Sequence, residues 1–446
     1  MNRIVLIGNG FDKAHGLQTG YEDFINWYWD TRVRGFLGNR TNSSADCLCV
    51  FECHPQDSWN SYYYNNVSYF NKQTGKEIIE SILKEQDKYI VTFSPFFERI
   101  NKSIKTKGWV DIENEYYELL IQYSLKEDDE AKVKDLNKQL HFLQDKLVEY
   151  LTEINKIEVK PIKSIESAIY SIIYPQDVSI GSTNALKDHI EAGMALSDEY
   201  WKVKLVQYGC SDSSEAINRI HEYRDKHVGI PLWINKSIRC LKNSMGYKEN
   251  TIKDFLDMAS CPISLYLPNN IMLLNFNYTN TADLYCRPKE ILRIYNLTPI
   301  NHIHGEVSRP ESVIFGYGDE MDDKYKELVK KNNNQCLGNI KSIKYLESDN
   351  YRRVLSFIES EPYQILIMGH SCGNSDRTLL NTLFEHDNCV SIKPYYYIND
   401  KGKDNYIDIV QNISRNFNDM KLMRDRVVNK LYCEPLTKKD SQESDQ

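Results

Sequence analysis

Basic residues are not in excess in this chain: 55 Lys and Arg stand against 63 Asp and Glu, a net charge of −8. A protein that tracks a nucleic-acid backbone needs clustered Lys and Arg to replace counterions, so no nucleic-acid partner is expected. Long apolar runs are also lacking. The longest fall far short of the roughly 20 residues a helix needs to cross a bilayer, and no membrane partner is expected. No leader-like segment precedes the first apolar run, Arg3-Ile4-Val5-Leu6-Ile7, which already reads as buried strand. The 11 cysteines are odd in number and follow no framework spacing. Reduced thiols fit that pattern better than a secreted disulfide scaffold, and the expected location is the cytoplasm.

What is present is a series of short apolar runs near both ends of the 446 residues. After residues 3–7 come 271–275, 302–304, 313–315, 364–368 and 391–398. Several are continuous rather than alternating, as in strands buried on both faces of a parallel sheet. Most run into Gly or Asn at the carboxyl end, the edge where open α/β sheets bind ligands. The first run leads into a helix: Thr19 and Glu22 have capping-box spacing, and Tyr21, Phe24, Ile25 and Tyr28 share one face. Between residues 33 and 260 no comparable strand series occurs. There Leu136, Leu140, Leu143, Leu147, Leu151 and Ile154 step by threes and fours, which predicts a long amphipathic helix burying one stripe on its own protein. Trp201, Tyr208 and Trp233 suggest further helical packing.

The expected architecture is α/β. Residues 1–32 and 265–435 would form a Rossmann-like nucleotide-binding core with a parallel sheet. Residues 33–264 would be a mostly helical insertion, and 436–446 a polar, disordered tail.

Four stretches could carry chemistry. Gly8-Asn9-Gly10 allows a tight strand-to-helix turn whose amides can face a pyrophosphate, and equally fits a plain structural turn. The dinucleotide fingerprint would need glycine at Lys13 and an acid ending a second strand, and both are missing. In Asn275-Phe276-Asn277-Tyr278-Thr279 the asparagines could hold a sugar hydroxyl or a water, or start an Asx turn. In Asn301-His302-Ile303-His304-Gly305, His304 is placed for a base, with a structural histidine as the ordinary alternative. A zinc pair lacks a third ligand at a recognisable spacing.

The fourth stretch, Gly369-His370-Ser371-Cys372-Gly373-Asn374-Ser375-Asp376, is a small polar loop before a helix. It can bind phosphate or ribose, with Asp376 serving as a helix cap. It also matches the spacing of a serine nucleophile elbow, although only His386 follows to complete a triad. Cys47, Cys49, Cys53 and His54 lack a usual zinc spacing, and the 319–323 acidic run reads as a solvated loop or helix start.

Taken together, these stretches resemble the AbiH family of bacterial antiphage abortive-infection proteins. The likeness rests on I-G-N-G-F-D-x-A-H-G-L at the start, on N-F-N-Y-T, I-H-G, F-G-Y-G-D at 315–319 and G-H-S-C-G-N-S-D, with W-x-D-x-E at 109–113 as a further segment. They also resemble, more distantly, sirtuin-like NAD-binding domains. There Gly8 and Gly10 match the opening glycines, Asn277 the asparagine, His304 the catalytic histidine, and Gly369 and Ser371 the late loop. Asn9, Asp12 and Thr279 depart from that pattern, and the paired C-x-x-C zinc module is missing.

The resemblance implies cleavage of the nicotinamide–ribose bond of NAD or NADP, without a metal, rather than deacetylation. Asn277 and His304 would be catalytic. Gly8, Asn9, Gly10, Phe11, Asp12, His15, Gly369, Ser371 and Asp376 would contact the dinucleotide. A non-catalytic sensor that binds the same nucleotide is the alternative. With the enzyme, the insertion would sense a phage-derived trigger or assemble a homo-oligomer; with the sensor, it would pass the signal of infection to another factor.

Overall fold

The computed structural model describes residues 1–38, 43–53, 73–84, 89–107, 111–182, 268–286 and 296–437. Trp201, Tyr208, Trp233 and the tail from 438 lie outside them. A parallel sheet is built from β1 (Asn2–Ile7), β5 (Asn270–Asn275), β6 (Asn296–Leu297), β7 (Asn301–His302), β8 (Tyr363–Met368) and β9 (Cys389–Tyr395), in the order β6-β5-β1-β8-β9 with β7 also on β5. β1 is central, with Val5 opposite Leu273 on one side and Leu366 on the other. The chain builds outward from β1 through β5, then returns to β1's other flank for β8 and β9. Strand order therefore reverses between β1 and β8, the kind of switch point at whose carboxyl edge open α/β sheets bind ligands.

Alternate residues of β1 enter different cores. Val5 and Ile7 join Leu273, Leu366 and Met368 under α1 (Asn9–Ala14) and the segment 165–178. Ile4 and Leu6 join Met272, Leu274, Ile365 and Ile367 under the helices at 350–360 and 377–385. Both faces are thus covered, which is why the strands read as continuous apolar runs. The fully buried Arg3 donates to the carbonyls of Ile169 and Ser171, at 2.9 and 2.6 Å, and to Gln364 Oε1, tying that segment onto the sheet.

Packing redraws the expected layout. The segment expected to be mostly helical also carries an antiparallel sheet of β2 (Ser43–Ala45), β3 (Cys49–Cys53) and β4 (Tyr89–Phe93). These strands are short and only partly apolar, so they left little trace in the hydrophobic pattern. The helix α2 (Tyr21–Gly38) sides with the insertion: Phe24, Tyr28, Trp29 and Phe36 pack with Phe51, Phe96, Phe97 and the leucine stripe of the long helix. Residues 165–178 side with the sheet instead.

The insertion's other helices are α3 (Gly75–Lys84), α4 (Pro95–Lys107), α5 (Ile112–Ile121) and α6 (Glu130–Ile154). In α6, Leu136, Leu140, Leu143, Leu147 and Leu151 are buried against this protein, and Ile154 packs at the edge. Two local details differ from expectation. Asp23, not Thr19, caps α2 by accepting from the Gly20 amide at 3.0 Å. Residues 313–315 pack in the core without forming a strand. Among the described residues no helix is long and apolar enough to cross a membrane.

The glycines of the opening turn have a packing reason. A Cβ on Gly8 would lie 2.5 Å from the His370 Cα, and one on Gly369 only 2.1 Å from the Phe11 amide nitrogen. The turns ending β1 and β8 press backbone against backbone, and the Gly10 amide donates to the Gly369 carbonyl at 2.8 Å. Gly369→Ala is expected to lower stability in urea unfolding by at least about 2 kcal/mol. Gly402→Ala has nearly the same φ, +75° against +76°, but open space around it. It is expected to cost only about 1 kcal/mol, and equal losses would sink the close-packing account.

Candidate functional site

β7 ends at His302, one residue pair earlier than the 301–304 strand expected from sequence, and a turn through Gly305 (φ +81°) brings His304 inward. His304 does not simply share a strand face with His302. His302 stays near Asn275, while the His304 ring meets the edge of Phe276 at 5.2 Å and is 4% exposed. Its Nε2 lies 3.2 Å from Asp376 Oδ1 and 3.2 Å from the Tyr345 hydroxyl. With Asp376 ionised, the ring proton belongs on Nε2, which leaves the Nδ1 lone pair as the basic nitrogen.

Asp376 precedes α7 (Arg377–Glu385) and is the hub of the cluster. Lys341 Nζ donates to its Oδ1 at 2.8 Å, and His370 Nε2 faces Oδ2 at 3.6 Å. The other side of the ammonium reaches Glu113 Oε2 at 3.0 Å, and Glu113 Oε1 accepts from the Gly316 amide at 3.2 Å. Glu113 lies in the first turn of α5, so the insertion contributes a side chain to this site. Tyr117, one turn later, stacks on Tyr317 at 4.0 Å and donates to Asp322, which fixes the 315–322 segment against α5.

Burial opposes charge throughout. It works against the Asp376 carboxylate too, but the Lys341 ammonium and His304 outweigh it and hold Asp376 well below its usual range. Burial raises Glu113 from its ordinary value and Asp376 and Asp111 add to the rise, while the Lys341 ammonium pulls it back. Burial and then the Lys341 charge lower His304, against the pull of Asp376. At neutral pH the arrangement is a neutral, oriented imidazole beside an ion pair. It can accept a proton from water or a hydroxyl.

The residues expected to contact a dinucleotide divide into two sets. The Gly8, Gly10 and Phe11 amides donate to Met368, Gly369 and Gly8 carbonyls, so they are spent inside the fold rather than aimed at a pyrophosphate. The Phe11 side chain is core, and His15 is held at both nitrogens by the Phe11 carbonyl and the Tyr285 hydroxyl. Asp376 is committed to Lys341 and the histidines instead of a ribose. Asn9 and Ser371 are exposed; Asn9 accepts from Thr19, and the Ser371 carbonyl accepts from Asn412. Asn277 donates from Nδ2 to the Gly8 carbonyl at 3.0 Å, joining the ends of β5 and β1.

Ser371, Asp376 and His386 do not converge, because His386 pairs with Glu359 at 3.3 Å. The Ser371–Asp376–His386 triad weighed for a serine hydrolase is therefore not assembled. Asp319, expected in a solvated loop, is buried and pairs with Arg377 at 3.2 Å, while Asp322 caps the helix at 323–330. Sequence reasoning missed Lys341 and Tyr345, which belong to no quoted stretch. Glu113 and His370 lay inside quoted stretches, but neither was assigned a role.

The pattern of the family described as bacteriophage abortive infection AbiH matches residues 4–397. The chain belongs to the AbiH family. An antiphage abortive-infection role follows from that membership, and the match spans the sheet, the insertion and every residue of the His304 cluster. No curated protein and no solved structure matches this AbiH chain with significance.

Asp12 supplies a test of the buried electrostatics. Its Oδ2 accepts from Thr279 at 2.5 Å, its Oδ1 has no hydrogen-bond partner, and burial raises it to about 6 despite the Thr279 bond. A folded value above the ordinary 3.8 means that ionisation costs the folded state more than the unfolded one. Its stability contribution is complete below about pH 4 and is lost as pH rises through 6. Asp12→Asn is expected to gain on wild type by about 1–3 kcal/mol between pH 4 and 7 in urea unfolding. A pH-independent difference between the two proteins would contradict this.

Proposed function

We propose that this AbiH-family protein acts in abortive infection by hydrolysing NAD or NADP at the nicotinamide–ribose bond. The observation that carries the reading is the His304–Asp376 pair, 3.2 Å apart at the carboxyl edge of a Rossmann-like sheet. Nicotinamide leaves with the electron pair of the broken C1′–N bond and becomes a neutral ring, so the leaving group needs no acid. The transition state is oxocarbenium-like. A water oxygen bonds to C1′ and gives its proton to His304 Nδ1. Asn277 positions the water or the ribose. Since the Gly8, Gly10 and Phe11 amides are occupied, the phosphates would meet other groups, with exposed Asn9 and Ser371 the members of the expected set still available. The sirtuin-like comparison supports the reaction type and is itself part of this proposal.

A second reading is favoured by one observation. Glu113 couples the insertion directly to the site, as a non-catalytic nucleotide sensor would require. In that case the insertion passes the bound state to another factor, whether a phage component or a second copy of the chain.

The deciding experiment measures intracellular NAD and NADP during phage infection, in cells with wild type, Asn277→Ala or His304→Ala at matched soluble levels. The glycohydrolase reading expects a collapse in wild type only. For purified protein it expects His304→Ala to lower kcat by about 10²- to 10⁴-fold. Protection with level dinucleotide pools would discard the enzyme and leave the sensor.

A further inference from the structure

Lys341 is 1% exposed and has a carboxylate on each side, Glu113 from the insertion and Asp376 from the core. Its Nζ and the His304 Nε2 address the same oxygen, Asp376 Oδ1, at 2.8 and 3.2 Å. Two donors on one oxygen compete for one negative charge. The ammonium, nearer and permanently charged, takes the larger share, so the carboxylate is less able to stabilise an imidazolium. We propose that Lys341, anchored by Glu113 of the insertion, is a positioning residue that keeps His304 unprotonated by occupying the Asp376 carboxylate. This rests on His304 being the base of the proposed reaction.

The remaining groups around the ring do not replace that role. His370 faces the opposite oxygen of Asp376, with its Nδ1 accepting from the Cys372 amide at 3.0 Å. Tyr278 and Tyr345 are buried phenols whose values lie well above their ordinary range, so they stay neutral. Asp111, behind Lys341, caps α5 by accepting from the Asn114 amide. Lys341 is thus the cation that pairs directly with Asp376. Glu113 in turn holds it from the insertion side and is itself fixed by the Gly316 amide. The insertion thereby reaches the proposed base through two ion-paired side chains, without touching it.

The test reads His304 alone. Protein labelled with ¹³C at histidine Cε1 is titrated by NMR between pH 5 and 9, with the His304 signal assigned by its loss in His304→Gln. Lys341→Met is expected to raise the His304 midpoint by about one unit or more, since the cation leaves and the carboxylate remains. Lys341→Arg keeps a cation and is expected to leave it in place. Glu113→Gln removes a carboxyl group that can only carry negative charge, so His304 should titrate no higher than in wild type. Should Lys341→Met fail to fold, Glu113→Gln with Lys341→Met removes one charge of each sign and carries the same upward expectation.

A His304 midpoint that is unmoved or lowered without Lys341, or raised in Glu113→Gln, overturns the proposal. No substrate enters the titration. An upward shift together with level NAD in infected cells would discard the glycohydrolase but retain the electrostatic coupling. NAD collapse with an unmoved midpoint would do the reverse.

Discussion

One ammonium group, Lys341 Nζ, sits between two buried carboxylates at the place where insertion and sheet meet. Removing an ammonium and a carboxylate from water costs several kcal/mol each, and the cost is offset only when geometry and further hydrogen bonds satisfy both. Here they do. Glu113 also takes the Gly316 amide, and Asp376 also takes His304. Loss of one member would strand a charge in the interior, so the positions of α5, the 315–322 segment and the loop after β8 are mutually dependent. The rest of the site is arranged around that dependence.

The glycine turn after β1 serves the same end by a different force. Close contact between two turns of backbone, with no Cβ between them, lets β1 and β8 end side by side and places His370 against the site. Of the amides that such a turn presents to phosphate in dinucleotide-binding folds, those of Gly8, Gly10 and Phe11 are hydrogen-bonded internally here. A Gly-x-Gly after a buried strand therefore has two physical explanations, ligand approach and backbone approach. In this protein the second accounts for the glycines without any ligand.

The parallel sheet was legible in the sequence because strands covered on both faces must be apolar at every position, as Ile4 to Ile7 and Ile365 to Met368 are. The α6 helix was legible because its leucines recur at the helical period. The antiparallel strands at 43–53 and 89–93 were not, because short, partly exposed strands carry too few apolar residues to show a period. Of the site, Asn277 and His304 stood out by residue type next to a strand end. Lys341 and Tyr345 did not, since an isolated lysine or tyrosine is ordinary surface composition until the fold buries it.

Sequence by itself determined the α/β class, the main strands, the leucine-striped helix and membership in the AbiH family, all of which rest on local pattern and order along the chain. Tertiary structure decided which groups meet. Glu113 and Lys341 lie 228 residues apart and share an ion pair; Gly8 and Asn277 lie 269 apart and share a hydrogen bond. Burial and charge at a site depend on neighbours that no spacing reveals, so the protonation state of His304 belongs to the fold and not to the motif that contains it.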